Sequence, residues 1–205
     1  MIALATTTSG VAAAIMPGGR TAHSRFKIPI TANETTMCNI SKQDGTSKLI
    51  RLASLIIWDE APMAKRFAIE TVDRTLRDVM GDKRIFGGKV VVFGGDFRQV
   101  LPVVPRGTRA ETINASLVKS YLWEKIEKLS LTINMRAKTD QVFGEFLLRV
   151  GNGEEPTIDE NLILLPHEMA SKNAHRYPNT AQDKEKMMNV IILVRGGSSK
   201  GSETT

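Results

Sequence analysis

The 205-residue chain is 41% apolar and 24% charged, with a formal net charge of +6, a composition that suits one globular domain with its own core and excludes a fibrous or wholly disordered chain. Its single cysteine, Cys38, excludes an internal disulfide and fits a reducing compartment as an inert small residue. No apolar run reaches the roughly 18 to 20 residues of a membrane span, and no basic segment precedes an apolar stretch at the start, so neither a membrane partner nor a secretory signal is expected.

In chain order, Ile2 to Ala5 reads as a strand, Thr6 to Gly10 as a turn, and Val11 to Met16 as the opening of a helix that Pro17, Gly18 and Gly19 stop. Residues 20–48 read as polar and irregular. The run from Leu49 to Trp58 leads into a strand whose apolar end, Leu55 to Trp58, meets Asp59 and Glu60. Phe67, Ile69, Val72, Leu76 and Val79 recur at helical spacing and predict a helix over Ala64 to Met80, closed by Gly81. Val90 to Phe93 is a continuous β-branched and aromatic run, the pattern of a strand covered on both faces. Leu117, Tyr121, Leu122 and Ile126 predict a further helix starting near Ser116, then a short strand over Lys128 to Thr132. A last helix begins near Asp140 and ends at Gly151. Beyond it the polarity rises. Asn189 to Val194 reads as a strand or an apolar remnant, and the final eleven residues read as disordered. Strands alternating with helices predict an α/β fold with a parallel sheet flanked by helices.

Ligands of such sheets bind beyond the carboxyl ends of the strands. The stretches "TTTSG", "DEAP" and "GGDFRQ" all follow strands, so they are expected on one edge. A strand-end aspartate such as Asp59 can hold Mg²⁺ on a nucleoside triphosphate, and an adjacent glutamate such as Glu60 can orient and deprotonate an attacking water. Gln99 both donates and accepts, which suits a γ-phosphate sensor. Arg136, after the "LTIN" strand, has a fork that matches a transferring phosphoryl group. Thr8, Ser9 and Gly10 ahead of a helix, and the "RTAHSRFK" stretch from Arg20 to Lys27, suit a phosphate backbone. Phe26 reads either as a base-stacking ring or as a core plug. His23, His167 and His175 lack the spacing of metal ligands.

Taken in order, "TTSGVAA", "GGRTAHSRFKIP", "LIIWDEAPM", "FGGKVVVFGGDFRQVLPVVPRGTRA" and "LTINMRA" closely resemble the Pif (petite integration frequency) family of DNA helicases, especially plant and Helitron-like members. The resemblance covers residues 3–155. It implies a RecA-like lobe of a P-loop NTPase and ATP-driven 5′-to-3′ movement on single-stranded DNA. It also implies roles in repair, recombination and telomere maintenance, in the nucleus, with the mitochondrion as the alternative. By position, Asp59 and Glu60 correspond to the acids that hold Mg²⁺ and activate water, Gln99 to the γ-phosphate sensor, and Arg136 to the arginine that reaches ATP. Thr8, Ser9, Gly10, Thr21, His23 and Phe26 fall on the DNA-contacting motifs. The resemblance further implies a phosphate-binding loop, G-x-x-x-x-G-K-[ST], ahead of these motifs. No such run occurs in the 205 residues, and "RGGSSKGS" near the end lacks its spacing. The expectation is a motor lobe over residues 1–155, incomplete at its N-terminus and without the second lobe, followed by a poorly defined segment over 156–205. The alternatives are a catalytically inactive module that binds single-stranded DNA or a protein partner, and a non-functional remnant.

Overall fold

The computed structural model describes residues 1–132, 134–135, 140–159, 162–163, 165 and 190–194. In chain order these form β1 (Ile2–Thr7), α1 (Gly10–Ile15), β2 (Arg20–Thr21), α2 (Ala22–Phe26), α3 (Gly45–Leu52), β3 (Ala53–Asp59), α4 (Arg66–Met80), β4 (Val90–Gly95), α5 (Arg109–Ala115), β5 (Glu127–Ser130), α6 (Gln141–Asn152), β6 (Thr157–Asp159), β7 (Leu162–Ile163) and β8 (Val190–Val194). The chain divides into two compact units, Met1–Ser130 with Asn189–Thr205, and Leu131–Met188.

The first unit is built on one sheet, ordered β2-β1-β3-β4-β8-β5. The predicted parallel sheet is present as β2-β1-β3-β4. β1 runs two residues beyond its expected end because Thr6 and Thr7 pair with Trp58 and Asp59, and the Thr6 hydroxyl donates to the Ile57 carbonyl at 2.7 Å. β8, the apolar run near the end of the sequence, enters antiparallel between β4 and β5 and makes the sheet mixed.

One sheet face carries the core. Ile56 and Trp58 of β3 and Val91 and Phe93 of β4 are fully buried, while Leu55, Ile57, Val90 and Val92 on the other face are half-buried. Ile69, Val72 and Leu76 of α4 are buried at the helical spacing the sequence shows. Phe26, Trp58, Phe93 and Phe86 form a row with centroids 5.8–6.1 Å apart, inside the range of favourable ring pairs. α4 ends at Gly81, whose φ of 65° gives the left-handed cap.

Asp73 ties α4 to two later segments. Fully buried, it accepts from the Phe86 N–H, from the Arg77 guanidinium at 2.7 Å and from the Tyr121 hydroxyl at 2.6 Å. Burial, followed by this hydrogen bond, raises the Tyr121 pKa above its usual 10.0. Cys38 is buried near Thr75, and burial pushes its thiol up to about 11, which disfavours the thiolate.

Three expectations change. Residues 20–48 hold β2, α2 and the start of α3, which Asp44 caps by accepting from the Thr46 N–H. The Leu49–Leu52 stretch, expected to lead into the strand, is therefore the last turn of that helix. The helix predicted from Ser116 is replaced by 3₁₀ turns at Leu117–Lys119 and Trp123–Lys125. Ser116 and Ser120 are extended, and Ser120 Oγ accepts from the Leu122 N–H, a local bond that competes with helix. Leu117 and Leu122 are still fully buried.

In the second unit, α6 starts where Asp140 accepts from the Phe143 N–H and runs to Asn152, one residue past the predicted stop, with Gly153 as its left-handed cap. β6 and β7 pair antiparallel. Among the described residues no helix is long and apolar enough to cross a membrane.

Candidate functional site

Adjacent parallel strands bring three carboxyl ends to one edge. The register sets Thr7 beside Asp59 and Trp58 beside Phe93, so Thr8, Asp59 and Gly94 all lie there. The Thr8 N–H donates to the Asp59 carbonyl at 3.0 Å and locks the first two loops together.

Asp59 is half-buried at the end of β3, and its Oδ1 accepts from the Glu60 N–H at 3.0 Å. Glu60 sits in the left-handed region at φ 54° and ψ 35°. That conformation costs a non-glycine residue about 1–3 kcal/mol and is typical of functional turns. It swings the chain sharply off the sheet into the turn Ala61–Met63, so Asp59 and Glu60 both stand at the carboxyl end of β3.

The two glycines that end β4 serve this packing. A Cβ on Gly94 would stand 2.8 Å from Asp59 Oδ1, and one on Gly95, at φ 145°, would stand 2.3 Å from Pro62 Cδ. The absence of a side chain at both positions admits the neighbouring acid loop. Beyond them Asp96, only 2% exposed, holds the following loop. Its Oδ1 accepts from the Arg98 N–H at 2.9 Å and from Arg98 Nε at 3.1 Å, and its carbonyl accepts from the Gln99 N–H. Its Oδ2 is buried and has no hydrogen-bond partner among the described residues. Asp96 is a site residue that motif and spacing do not single out. Its one signal in the sequence is an aspartate directly after two glycines and two places before an arginine. Phe97 packs edge-on against Trp123 at 5.3 Å and pins the loop from its other side.

Gln99 thus stands on the same edge as Asp59 and Glu60. Arg136 lies outside the described residues. Among the described residues no group of three or more His, Cys, Asp or Glu is placed to hold a metal. Magnesium needs only one or two carboxylates when phosphates and water complete its shell, and Asp59 brings one carboxylate to the end of β3.

A groove of about 400 Å³ opens beside this edge. Thr8, His23 and Lys65 give it polar groups, and Pro29, Ile30 and Phe67 give it apolar wall. Thr8 Oγ1 accepts from Trp58 Nε1 at 3.0 Å, which leaves its own proton to donate. Ser9 and Thr21 cap α1 and α2 by accepting from the Ala12 and Ser24 N–H groups. Gly10 is exposed at the first turn of α1. Protein packed around the exposed His23 ring lowers its pKa from 6.5 by desolvation.

Two expectations for this region are corrected. Phe26 is 0% exposed and packs on Trp58, so it is the core plug and cannot stack on a base. The basic stretch is also partly structural. Arg25 donates to the Gly18 and Ala5 carbonyls, and Lys27 is paired with Asp44.

The family model of PIF1-like helicases matches residues 1–161. The chain belongs to that family. ATP-dependent DNA helicase Pif1 of Psychrobacter sp. (strain PRwf-1) is 32% identical over 108 residues, covering 52% of this chain and 16% of that protein. ATP-dependent DNA helicase PIF3 of Trypanosoma brucei brucei (strain 927/4 GUTat10.1) is 28% identical over 148 residues, covering 71% and 17%. The chain therefore spans about a sixth of the length of these curated relatives. Among solved structures, Bacteroides Pif1 with ADP-AlF3 and ssDNA aligns with TM-score 0.63 at 24% identity, over 75% of this chain and 37% of that one. Candida albicans Pif1 aligns with TM-score 0.59 at 25% identity, over 75% and 34%. The PIF1-like fold, a RecA-like parallel sheet flanked by helices, is common to them.

Proposed function

We propose that the chain is part of the motor lobe of an ATP-dependent DNA helicase that moves on single-stranded DNA. The observation that carries this is one sheet edge holding Asp59 and Glu60 beside the Gly94–Gln99 loop, in a PIF1-like chain. Asp59 would hold Mg²⁺, which when bound offsets charge on the β- and γ-phosphates. Glu60 orients a water and takes its proton as the water oxygen bonds to the γ-phosphorus and the bond to ADP breaks. Gln99 contacts the γ-phosphate, and Asp96 acts through Gln99 by fixing its loop. Arg136 is assigned to the phosphoryl group by resemblance alone. Thr8, Ser9, Gly10, Thr21 and His23 contact the DNA backbone along the groove. The same reading carries 5′-to-3′ movement, roles in repair, recombination and telomere maintenance, and a nuclear location.

The test is to titrate the purified chain with labelled single-stranded DNA across a salt series, and with a labelled ATP analogue and Mg²⁺. The chain is expected to bind DNA with affinity that falls as salt rises. It is expected to bind the analogue weakly, because no phosphate-binding loop lies within the 205 residues. Salt-insensitive DNA binding, or none at low salt, refutes the DNA track. ATP-dependent strand separation that Glu60→Gln abolishes shows that these residues already contain a whole motor.

His23 gives this binding a pH dependence. Desolvation lowers its pKa, so it takes up its proton only as pH falls below 6.5. Contact with a phosphate favours the imidazolium, so DNA binding takes up a proton and tightens as pH falls through that window. In the free protein the sign is opposite. The unfolded chain binds the proton more tightly, so stability falls as pH drops from 6.5 toward the folded pKa. His23→Gln is expected to flatten both curves. Fluorescence anisotropy and urea midpoints measured against pH check this, and an unchanged DNA curve in the variant removes His23 from the track.

A further inference from the structure

We infer that Trp58 is a positioning residue for the groove: its indole N–H holds the Thr8 hydroxyl as a preset donor for an anionic oxygen, and so sets how tightly the groove takes a phosphodiester. That the phosphodiester belongs to single-stranded DNA rests on the motor-lobe reading above; the positioning does not.

Trp58 occupies a place in the core that calls for a ring and for no polar atom. It is 1% exposed and stands in the aromatic row between Phe26 and Phe93, with centroids 6.1 and 6.0 Å away. The indole adds one polar group, an N–H that can only donate. Buried, that group is costly unless it finds an acceptor. It finds Thr8 Oγ1 at 3.0 Å, on a residue 50 positions earlier in the chain.

The three threonines at the end of β1 are used differently. Thr6 and Thr7 are fully buried. The Thr6 hydroxyl donates to the Ile57 carbonyl, and Thr7 Oγ1 accepts from the Ser9 N–H at 3.3 Å. Thr8 is half-buried and lines the groove with His23 and Lys65. Its main chain is held as well, because its N–H donates to the Asp59 carbonyl at 3.0 Å. Trp58 and Asp59 are neighbours on β3, so one two-residue segment grips both the backbone and the side chain of Thr8.

What remains free is the hydroxyl proton, which no described residue accepts. The hydroxyl therefore meets a groove ligand with its donor ready and one lone pair already used. That suits an oxygen that carries only lone pairs, such as that of a phosphodiester. A hydroxyl without the indole would lose its free rotation on binding, whereas here folding has already fixed it, and such preorganisation raises affinity.

The test uses the full 205-residue chain. Its two tryptophans give two indole N–H signals in nitrogen-15-labelled protein, and Trp123→Phe tells which belongs to Trp58. Titration with an oligothymidine at low salt is expected to move the Trp58 signal, and Thr8→Val is expected to abolish that movement. In anisotropy titrations Thr8→Val and Trp58→Phe are each expected to weaken binding about three- to tenfold, the effect of one hydrogen bond. The double variant is expected to bind no worse than the weaker single variant, because Trp58 acts through Thr8. A tryptophan that only fills the core gives losses that multiply. Multiplying losses, an indole signal that DNA does not move, or a shift that survives Thr8→Val overturns the proposal while the DNA reading stands. If Trp58→Phe does not fold, the indole signal of the parent chain and of Thr8→Val decides alone. If the chain binds no DNA at low salt, the DNA reading fails and inorganic phosphate replaces the oligonucleotide. A shift with phosphate that is absent in Thr8→Val, and absent in chloride of equal ionic strength, keeps the positioning role; no shift overturns it.

Discussion

Replacing Asp73 with alanine is expected to lower the unfolding free energy by about 3–5 kcal/mol, the cost of breaking a buried charge pair by removing one partner. Asp73 is fully buried on α4 and receives a main-chain N–H from Phe86, the Arg77 guanidinium and the Tyr121 hydroxyl. Without it the buried Phe86 N–H loses its acceptor, the hydroxyl of the partly exposed Tyr121 loses its partner, and Arg77 keeps a partly buried charge. These three donors come from three segments, so the loss also loosens the turn before β4 and the stretch before β5. Asp73→Asn keeps the shape and one oxygen acceptor, and is expected to cost less than half as much. Urea unfolding of the two variants checks this. Equal midpoints for Asp73→Ala and the parent chain would mean that the network is solvated and does not hold these segments.

The second large effect concerns the glycines that end β4. Gly95→Ala is expected to cost about 2–5 kcal/mol, from strain at positive φ and from overpacking. Its backbone sits at φ 145°, and the new methyl group would meet the Pro62 ring at 2.3 Å. Pro62 is buried in the turn after Glu60, so neither side yields easily. Gly94→Ala meets only the end of the Asp59 side chain, at 2.8 Å, and its φ is ordinary. The carboxylate can swing aside, so stability should fall by about 1 kcal/mol or less. The functional ranking is the reverse. Gly94→Ala displaces the acid assigned to Mg²⁺ and, in a complete motor, lowers ATP hydrolysis while single-stranded DNA binding is kept. Thermal melts of both variants give the stability order. A larger loss in Gly94→Ala would show that Asp59 is held rigidly and would change how that acid is read.

Much of the site is legible in the order of residues. A run of apolar residues ending in "DE", and a second one ending in "GGD", marks two buried strands with polar loops at their carboxyl ends. Parallel pairing then has to bring those loops to one edge, and β3 and β4 do so. α4 is equally plain, since its apolar spacing and Gly81 leave one solution. The failures share a cause. Ser116 and Ser120 break an apolar helical pattern through local hydrogen bonds that periodicity does not register. Asp44 caps α3 inside a stretch whose polarity hides it.

Residues close together along the chain are enough to settle which positions are apolar together, which carboxylates end the central strands and which family the motifs belong to. What each group faces is settled only when distant segments pack. Packing puts Phe26 against Trp58 and out of reach of a base, closes Gly94 and Gly95 onto the Asp59 loop, and buries Asp96 beneath the segment that carries Gln99. It also runs β8 against the direction of its neighbours. A period of two or 3.6 residues sets which side chains share a face. Partner and direction follow from which distant segments fill the space opposite, and that is a property of the packed molecule.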